Sequence, residues 1–199
     1  MTPGSVARWV LELLAERPPT LGAGRMVAVD GPAGSGKTTL GEALAEAARG
    51  TGSVTLLHMD DLYEGWTGLD HHLTGRVRAG ILEPLAAGRP GRYRRYDWAA
   101  GRFAEAHLVD PVDLLVLEGV GSGATAYDAF LTVRVWVEAP ADLRLARGVE
   151  RDGEAMREEW LAWTDREAAH FAADGTRTRA DLVVDGTGAT APRPQLPRR

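Results

Sequence analysis

The residues best suited to chemistry sit in one stretch, VDGPAGSGKTTL (29–40), where Gly31, Gly36, Lys37 and Thr38 satisfy G-x-x-x-x-G-K-[ST]. Lys37 is the only lysine among 23 lysine and arginine residues. Glycines at these positions allow a tight backbone whose N–H groups converge on phosphate oxygens. A helix starting at the loop's end adds the positive pole of its dipole at the same point. Gly31, Ala33, Gly34, Ser35, Gly36, Lys37, Thr38 and Thr39 are therefore expected to hold a nucleoside triphosphate. Lys37 would reach the outer phosphates and Thr38 would offer its hydroxyl to Mg2+. A compact ammonium on a flexible stem can follow a narrow loop that a planar guanidinium cannot, which accounts for a lysine kept in an arginine-rich chain.

The loop alone suits a GTPase, a motor ATPase or a kinase equally well. Two acidic positions narrow the choice. HMDDLY (58–63) places Asp60, Asp61 and Tyr63 just past a short apolar run, at the sheet edge where open parallel sheets bind ligands. A carboxylate there can take the proton of an acceptor hydroxyl and help hold the metal. Glu118 closes a second apolar run, DLLVL, where an acid can hold Mg2+ or its waters.

The elements that must position these groups follow from hydrophobic pattern. RMVAVD (25–30), SVTLLHM (53–59), VDLLVLEG (112–119), TVRVWVEA (132–139) and ADLVVD (180–185) read as strands, most of them near-continuous apolar runs of the kind buried on both faces. Between them lie helical patterns: a first helix capped by Ser5, one through Leu40 and Leu44, one from Leu73 to Leu85, and segments near 141–152 and 155–172. Strands alternating with helices predict a three-layer α/β/α sandwich around a central parallel sheet. One domain over 1–185 is expected, followed by a small, proline-rich, basic and disordered tail from Gly186 to Arg199.

Bulk properties exclude other roles. With 199 residues and a net charge of −5, the chain lacks the basic excess of a general nucleic-acid binder. Without cysteine there is no disulfide, thiolate metal site or thiol nucleophile. The N-terminal stretch is too short and too interrupted by Arg8, Glu12 and Glu16 for a signal peptide or membrane span, so a cytoplasmic setting is expected. His71, His72, His107 and His170 lack metal-ligand spacing and read as surface or structural residues.

In order along the chain, the motifs resemble the uridine kinase-like members of the P-loop nucleoside and nucleotide kinases, relatives of phosphoribulokinase and pantothenate kinase. The resemblance spans residues 25 to about 186. It rests on GPAGSGKTT, on DDLY for an Asp-x-Phe-Tyr, and on YDW (96–98) for Tyr-Asp-Phe. It continues through LEGV (117–120) for Glu-Gly-Ile/Leu, DLRLARGVERD (142–152) for an arginine-bearing lid, and ADLVVD. It implies a kinase that uses ATP and Mg2+. Asp60 would be the base and a member of the metal environment with Thr38 and Glu118. Tyr63, Tyr96, Trp98, Asp70 and Arg102 would lie around a small-molecule acceptor. Arg144, Arg147 and Arg151, spaced for one helix face, would act from a lid over about 142–157.

The departures concern the acceptor. The stretch from Asp60 to Asp70 is shorter than in uridine kinases. Gly101 stands where their uracil-contacting histidine would fall, and Arg102 arrives one residue early. Gly148 replaces the second arginine of a lid pair, and Trp66 is added beside the expected pocket. A nucleoside is the favoured acceptor, with a sugar-like or pantothenate-like alcohol as the alternative. A switch or regulatory ATP-binding protein is the rival class, although no Asn-Lys-x-Asp base-recognition signature accompanies the loop.

Overall fold

The computed structural model describes residues 1–195. The five apolar runs form strands β1 (Arg25–Asp30), β2 (Val54–His58), β5 (Leu114–Glu118), β6 (Val133–Glu138) and β7 (Leu182–Asp185). They lie in the order β2-β5-β1-β6-β7, all parallel, and a short β8 (Arg193–Pro194) adds antiparallel to β7. Because strand side chains alternate between faces, Val27 and Val29 face one layer and Met26 the other. The first layer is α1 (Pro3–Ala15) and α2 (Lys37–Ala48), which bury Val10, Leu14, Leu40 and Leu44. The opposite layer buries Leu73, Val77, Ile81 and Leu85, from α3 (His71–Val77), a π-helical turn and α4 (Glu83–Ala86), together with Trp163. The expected three-layer α/β/α sandwich is the fold.

Register is what builds the site. Val29 of β1 and His58 of β2 both lie level with Glu118 of β5. The residues that leave these strands therefore emerge together at the carboxyl edge of the sheet.

Beyond β6, α5 (Ala141–Asp152) leads through a 3-10 turn (Glu154–Met156) into α6 (Arg157–Asp174) and the short α7 (Thr176–Arg179). No helix of the described residues is long and apolar enough to cross a membrane.

Three expectations are corrected. The cap of α1 is Thr2 rather than Ser5: the Thr2 hydroxyl accepts the Ser5 N–H, and Pro3 occupies the first turn, where its missing N–H costs nothing. A hairpin of β3 (Gly91–Asp97) and β4 (Arg102–Val109) forms a separate two-stranded sheet that the hydrophobic pattern did not reveal. Its strands carry Arg92, Arg94, Arg95 and Glu105, and its register shifts between Arg94 and Tyr96, so period-two alternation is broken. The segment after Gly186 is laid against the sheet as far as Gln195 instead of being disordered. Gly186 N–H donates to the Glu138 carbonyl and Gln195 N–H to the Asp181 carbonyl. The last four residues of the expected tail lie outside the described residues.

Candidate active site

The loop between β1 and α2 adopts positive φ at Gly31 (+138°), Gly34 (+76°) and Gly36 (+100°). A Cβ at Gly31 would lie 2.0 Å from the Val137 carbonyl oxygen, and one at Gly34 would lie 2.5 Å from that of Arg144. Only glycine satisfies both the backbone and the space. Lys37 opens α2 and is buried, with Nζ donating to the Pro32 carbonyl at 2.9 Å. Burial pulls its ammonium below the ordinary lysine range, against the opposing field of Glu118. The Ser35 hydroxyl is buried without a partner, a free polar group inside the loop.

The loop is also held from behind. Ala33 was expected to contact nucleotide, but its N–H donates to Glu167 Oε2 at 2.7 Å. Its carbonyl accepts from Arg144 Nη1, which pairs with Glu167 Oε1 at 2.9 Å, and the Gly34 carbonyl accepts from Arg147 Nη1 at 3.0 Å. Asp30 is fully buried, and its carboxylate takes the N–H groups of Gly31, Gly121 and Gly123. It thereby ties the start of the loop to the segment following β5.

On the acid side, Thr38 Oγ1 donates to Glu118 Oε1 at 3.2 Å. His58 Nδ1 lies 2.5 Å from the same oxygen, and this hydrogen bond draws the His58 pKa upward. Asp60 sits in the 3-10 turn Met59–Asp61 directly after β2. It opens into the cleft, yet protein on its other sides withholds solvent. Desolvation, reinforced by the charge of Glu118 and opposed by Lys37, holds its carboxyl above the usual range. A carboxylate of raised basicity suits proton abstraction.

A cleft of about 360 Å3 joins these groups: Lys37, Thr38, Asp60 and Glu118 all line it. Its outer wall is aromatic. Trp66 meets Trp98, Trp163 and Trp160 edge to face, with ring centroids 5.5, 6.0 and 6.3 Å apart. Tyr63 lines the cleft as well, but its hydroxyl donates to the Val120 carbonyl at 2.7 Å, so it serves as wall. Trp98 is fixed by its indole N–H, which donates to the Asp60 carbonyl at 3.0 Å.

Three expected acceptor residues fall outside this cleft. Asp70 caps α3, its carboxylate accepting the N–H groups of His72 and Leu73. Tyr96 is buried against Trp98 and Phe103 and supports Trp98 from behind. Arg102 is exposed on the hairpin opposite Asp97.

The three arginines of α5 divide. Arg144 and Arg147 bond the loop's carbonyls, which places them in its support. Arg151 lines the cleft, pairs with Asp152 and lies over the Trp160 ring at 5.5 Å. Gly148 has a local reason to be glycine, since a Cβ there would meet the Trp160 ring at 2.5 Å. Asp30, His58 and Glu167 went unnoticed in the sequence. Asp30, directly before the loop, and His58, beside MDD, both stood at a strand's carboxyl end.

No protein-family profile matches the chain, and no curated protein matches it. Solved structures do. A possible uridine kinase from Bacillus stearothermophilus shares 22% identity over 82% of this chain and 90% of its own, with a TM-score of 0.59. A proposed fructose transport system kinase from Silicibacter sp. TM1040 shares 21% over 94% and 93%, at 0.55. D-glycerate 3-kinase from Cryptococcus neoformans var. grubii shares 15% over 87% and 86%, at 0.53. At such identities the likeness is one of architecture: the chain has the fold of the P-loop kinases.

Proposed function

We propose that this protein is a kinase that moves the γ-phosphoryl group of ATP to a hydroxyl of a small molecule, with a nucleoside as the favoured acceptor. The observation that carries this reading is the single cleft on which Lys37, Thr38, Asp60 and Glu118 converge beneath an aromatic wall. Lys37 and the loop's N–H groups hold the donor phosphates. Asp60 takes the acceptor's proton as its oxygen bonds to the γ-phosphorus and the bond to the departing ADP breaks. Arg151, over Trp160, is the lid cation facing the transfer, while Trp160 and Met156 exclude water that would otherwise compete as acceptor.

The residues present fit Mg2+. Thr38 supplies a hydroxyl beside the Glu118 carboxylate, and Asp60 brings a further carboxylate to the cleft. Among the described residues no group of three or more acidic or histidine side chains is clustered for a metal. That suits an ion completed by nucleotide phosphates and water rather than by an all-protein cage. When bound, the ion would offset phosphate charge during transfer. ATP and Mg2+ supply makes a cytoplasmic setting part of the same reading.

A flat molecule suits the four tryptophans better than a sugar acid does, since among the described residues Lys37 and Arg151 are the only cations on the cleft and both sit at its phosphate end. ADP release with and without a panel of nucleosides, sugars, D-glycerate and vitamin alcohols tests the reading. Release stimulated by one acceptor class supports it. Turnover indifferent to every acceptor overturns it in favour of a nucleotide switch.

A further inference from the structure

Four of the chain's six tryptophans line the acceptor cleft, and separate elements bring them there. Trp66 comes from the 3-10 turn Gly65–Thr67, Trp98 from the turn of the β3–β4 hairpin, and Trp160 and Trp163 from the start of α6. The rings of Trp98, Trp160 and Trp163 stand at 72°, 68° and 77° to that of Trp66. Rings at such angles form the walls of a box rather than a stack, and each wall carries the negative face of a π-system. One wall already holds a cation, since Arg151 lies over the Trp160 ring. Trp98 is 41% exposed and Trp66 half-buried, so both keep surface for a ligand.

Little in this box can read a neutral base by hydrogen bonds. The Tyr63 hydroxyl is spent on the Val120 carbonyl, and the indole N–H groups of Trp98 and Trp160 on the Asp60 carbonyl and the Asp152 carboxylate. Among the described residues the cleft has no asparagine, glutamine, serine or histidine side chain. The carbonyls of a neutral base would give up water without a side-chain donor in return. The charge of the cleft is negative instead: Asp60, Glu118 and Asp152 line it against Lys37 and Arg151, and Arg151 is tied to Asp152. A bound triphosphate adds negative charge that one Mg2+ offsets only in part.

We propose that the acceptor is a nucleoside whose base carries a positive charge, an N-alkylated heteroaromatic cation seated in the tryptophan box with a sugar hydroxyl turned to Asp60. A flat cation gains stacking and cation–π attraction from the same rings and asks the wall for no donor. The proposal rests on the kinase reading above and narrows its acceptor. The transfer is the same: the hydroxyl oxygen bonds to the γ-phosphorus while its proton passes to Asp60 and ADP leaves.

ADP release by the full chain with Mg2+ and ATP at neutral pH, measured on two pairs of isomers, tests it. One pair is 1-methyladenosine, a cation, and N6-methyladenosine, which is neutral. The other is 3-methylcytidine, a cation, and neutral N4-methylcytidine. The members of a pair share their heavy atoms and differ in methyl position and charge. In at least one pair kcat/KM is expected to favour the cation about tenfold, the scale of a desolvated cation–π contact. Trp66→Leu and Trp98→Leu each remove a π-face, and the ratio should then fall to within about twofold, while Trp66→Phe keeps most of it. Lost packing alone would slow both isomers alike and leave the ratio unchanged. Thermal melting identifies a variant that does not fold, and the other variant and the wild-type ratio still decide.

A wild-type ratio near one in both pairs overturns the proposal. So does a ratio that every folded leucine variant keeps, or stimulation by a non-nucleoside alcohol alone. These results leave the kinase reading intact. ADP release that no acceptor stimulates removes that reading and the proposal with it.

Discussion

Arg144 Nη1 donates to Glu167 Oε1 across 2.9 Å, and the other oxygen of that carboxylate takes the Ala33 N–H at 2.7 Å. A pair buried beneath the phosphate loop thus connects α5 and α6 to its backbone. Removing one partner of a buried pair strands the other charge, which costs far more than the pair contributes. Arg144→Met should therefore destabilise the fold by about 3–5 kcal/mol in urea denaturation. Arg144→Met combined with Glu167→Gln should recover part of that loss, because no uncompensated charge remains. Strictly additive losses would show that the two side chains act separately.

Lys37 is enclosed, with its ammonium on the Pro32 carbonyl. Lys37→Arg retains charge but widens the cation inside a loop that lacks room for a planar group. Phosphoryl transfer should fall about 100-fold or more, the scale of losing one aligned charge contact in a transition state. Transfer assays together with nucleotide titration check this, and activity within a few-fold of wild type would remove the steric account of the lone lysine.

Asp60 opens into the cleft with its carboxyl held above the usual range, first by desolvation and then by Glu118. Asp60→Asn keeps the shape and removes the base. Turnover should drop by about 10²–10⁴, the range of general-base contributions, with ATP affinity changed only a few-fold. Near-normal turnover would reassign the proton acceptor; loss of ATP binding would assign Asp60 to the donor.

Asp185 is the staple of the 185–190 loop. Hydrogen bonds from the Thr187 hydroxyl, then from the Thr187 N–H, lower its pKa to about 2. A carboxyl depressed in the folded state contributes stability that is fully present above its unfolded value, about 3.9, and is lost as pH falls through the folded one. Amide exchange at Thr187 and Thr190, corrected for intrinsic rates, should therefore stay protected at neutral pH and lose protection only as the pH drops from about 3.9 toward 2. Asp185→Ala should abolish that protection at every pH. Protection that survives the substitution would show that the β7–β8 pairing alone holds the loop.

Much of the sandwich was legible because its signals are local. Strands buried on both faces read as near-continuous apolar runs, so β1, β5 and β6 announce themselves. The β3–β4 hairpin does not, because its stability comes from cross-strand pairing between charge-bearing segments and from aromatic contacts such as Tyr96 on Phe103. Asp70 misled for a related reason. An acidic residue before a helix can serve a ligand or cap that helix, and the two uses look identical in one dimension.

The phosphate loop is written in the chain itself, since glycines at positive φ and one slim cation are requirements of the backbone that local spacing records. So are the parallel sheet and the acids at the ends of its strands. Which of these groups meet follows from packing. Thr38 reaches Glu118 from 80 residues away, because the parallel register brings the carboxyl ends of β1, β2 and β5 to one level. Arg144 and Arg147 fell to the loop's support and Arg151 to the cleft, although the three share one helix face in the sequence. One cavity beside the phosphate loop is lined by both Pro3 and Thr187. Contacts of that length depend on how layers pack around a sheet, and no local pattern encodes them.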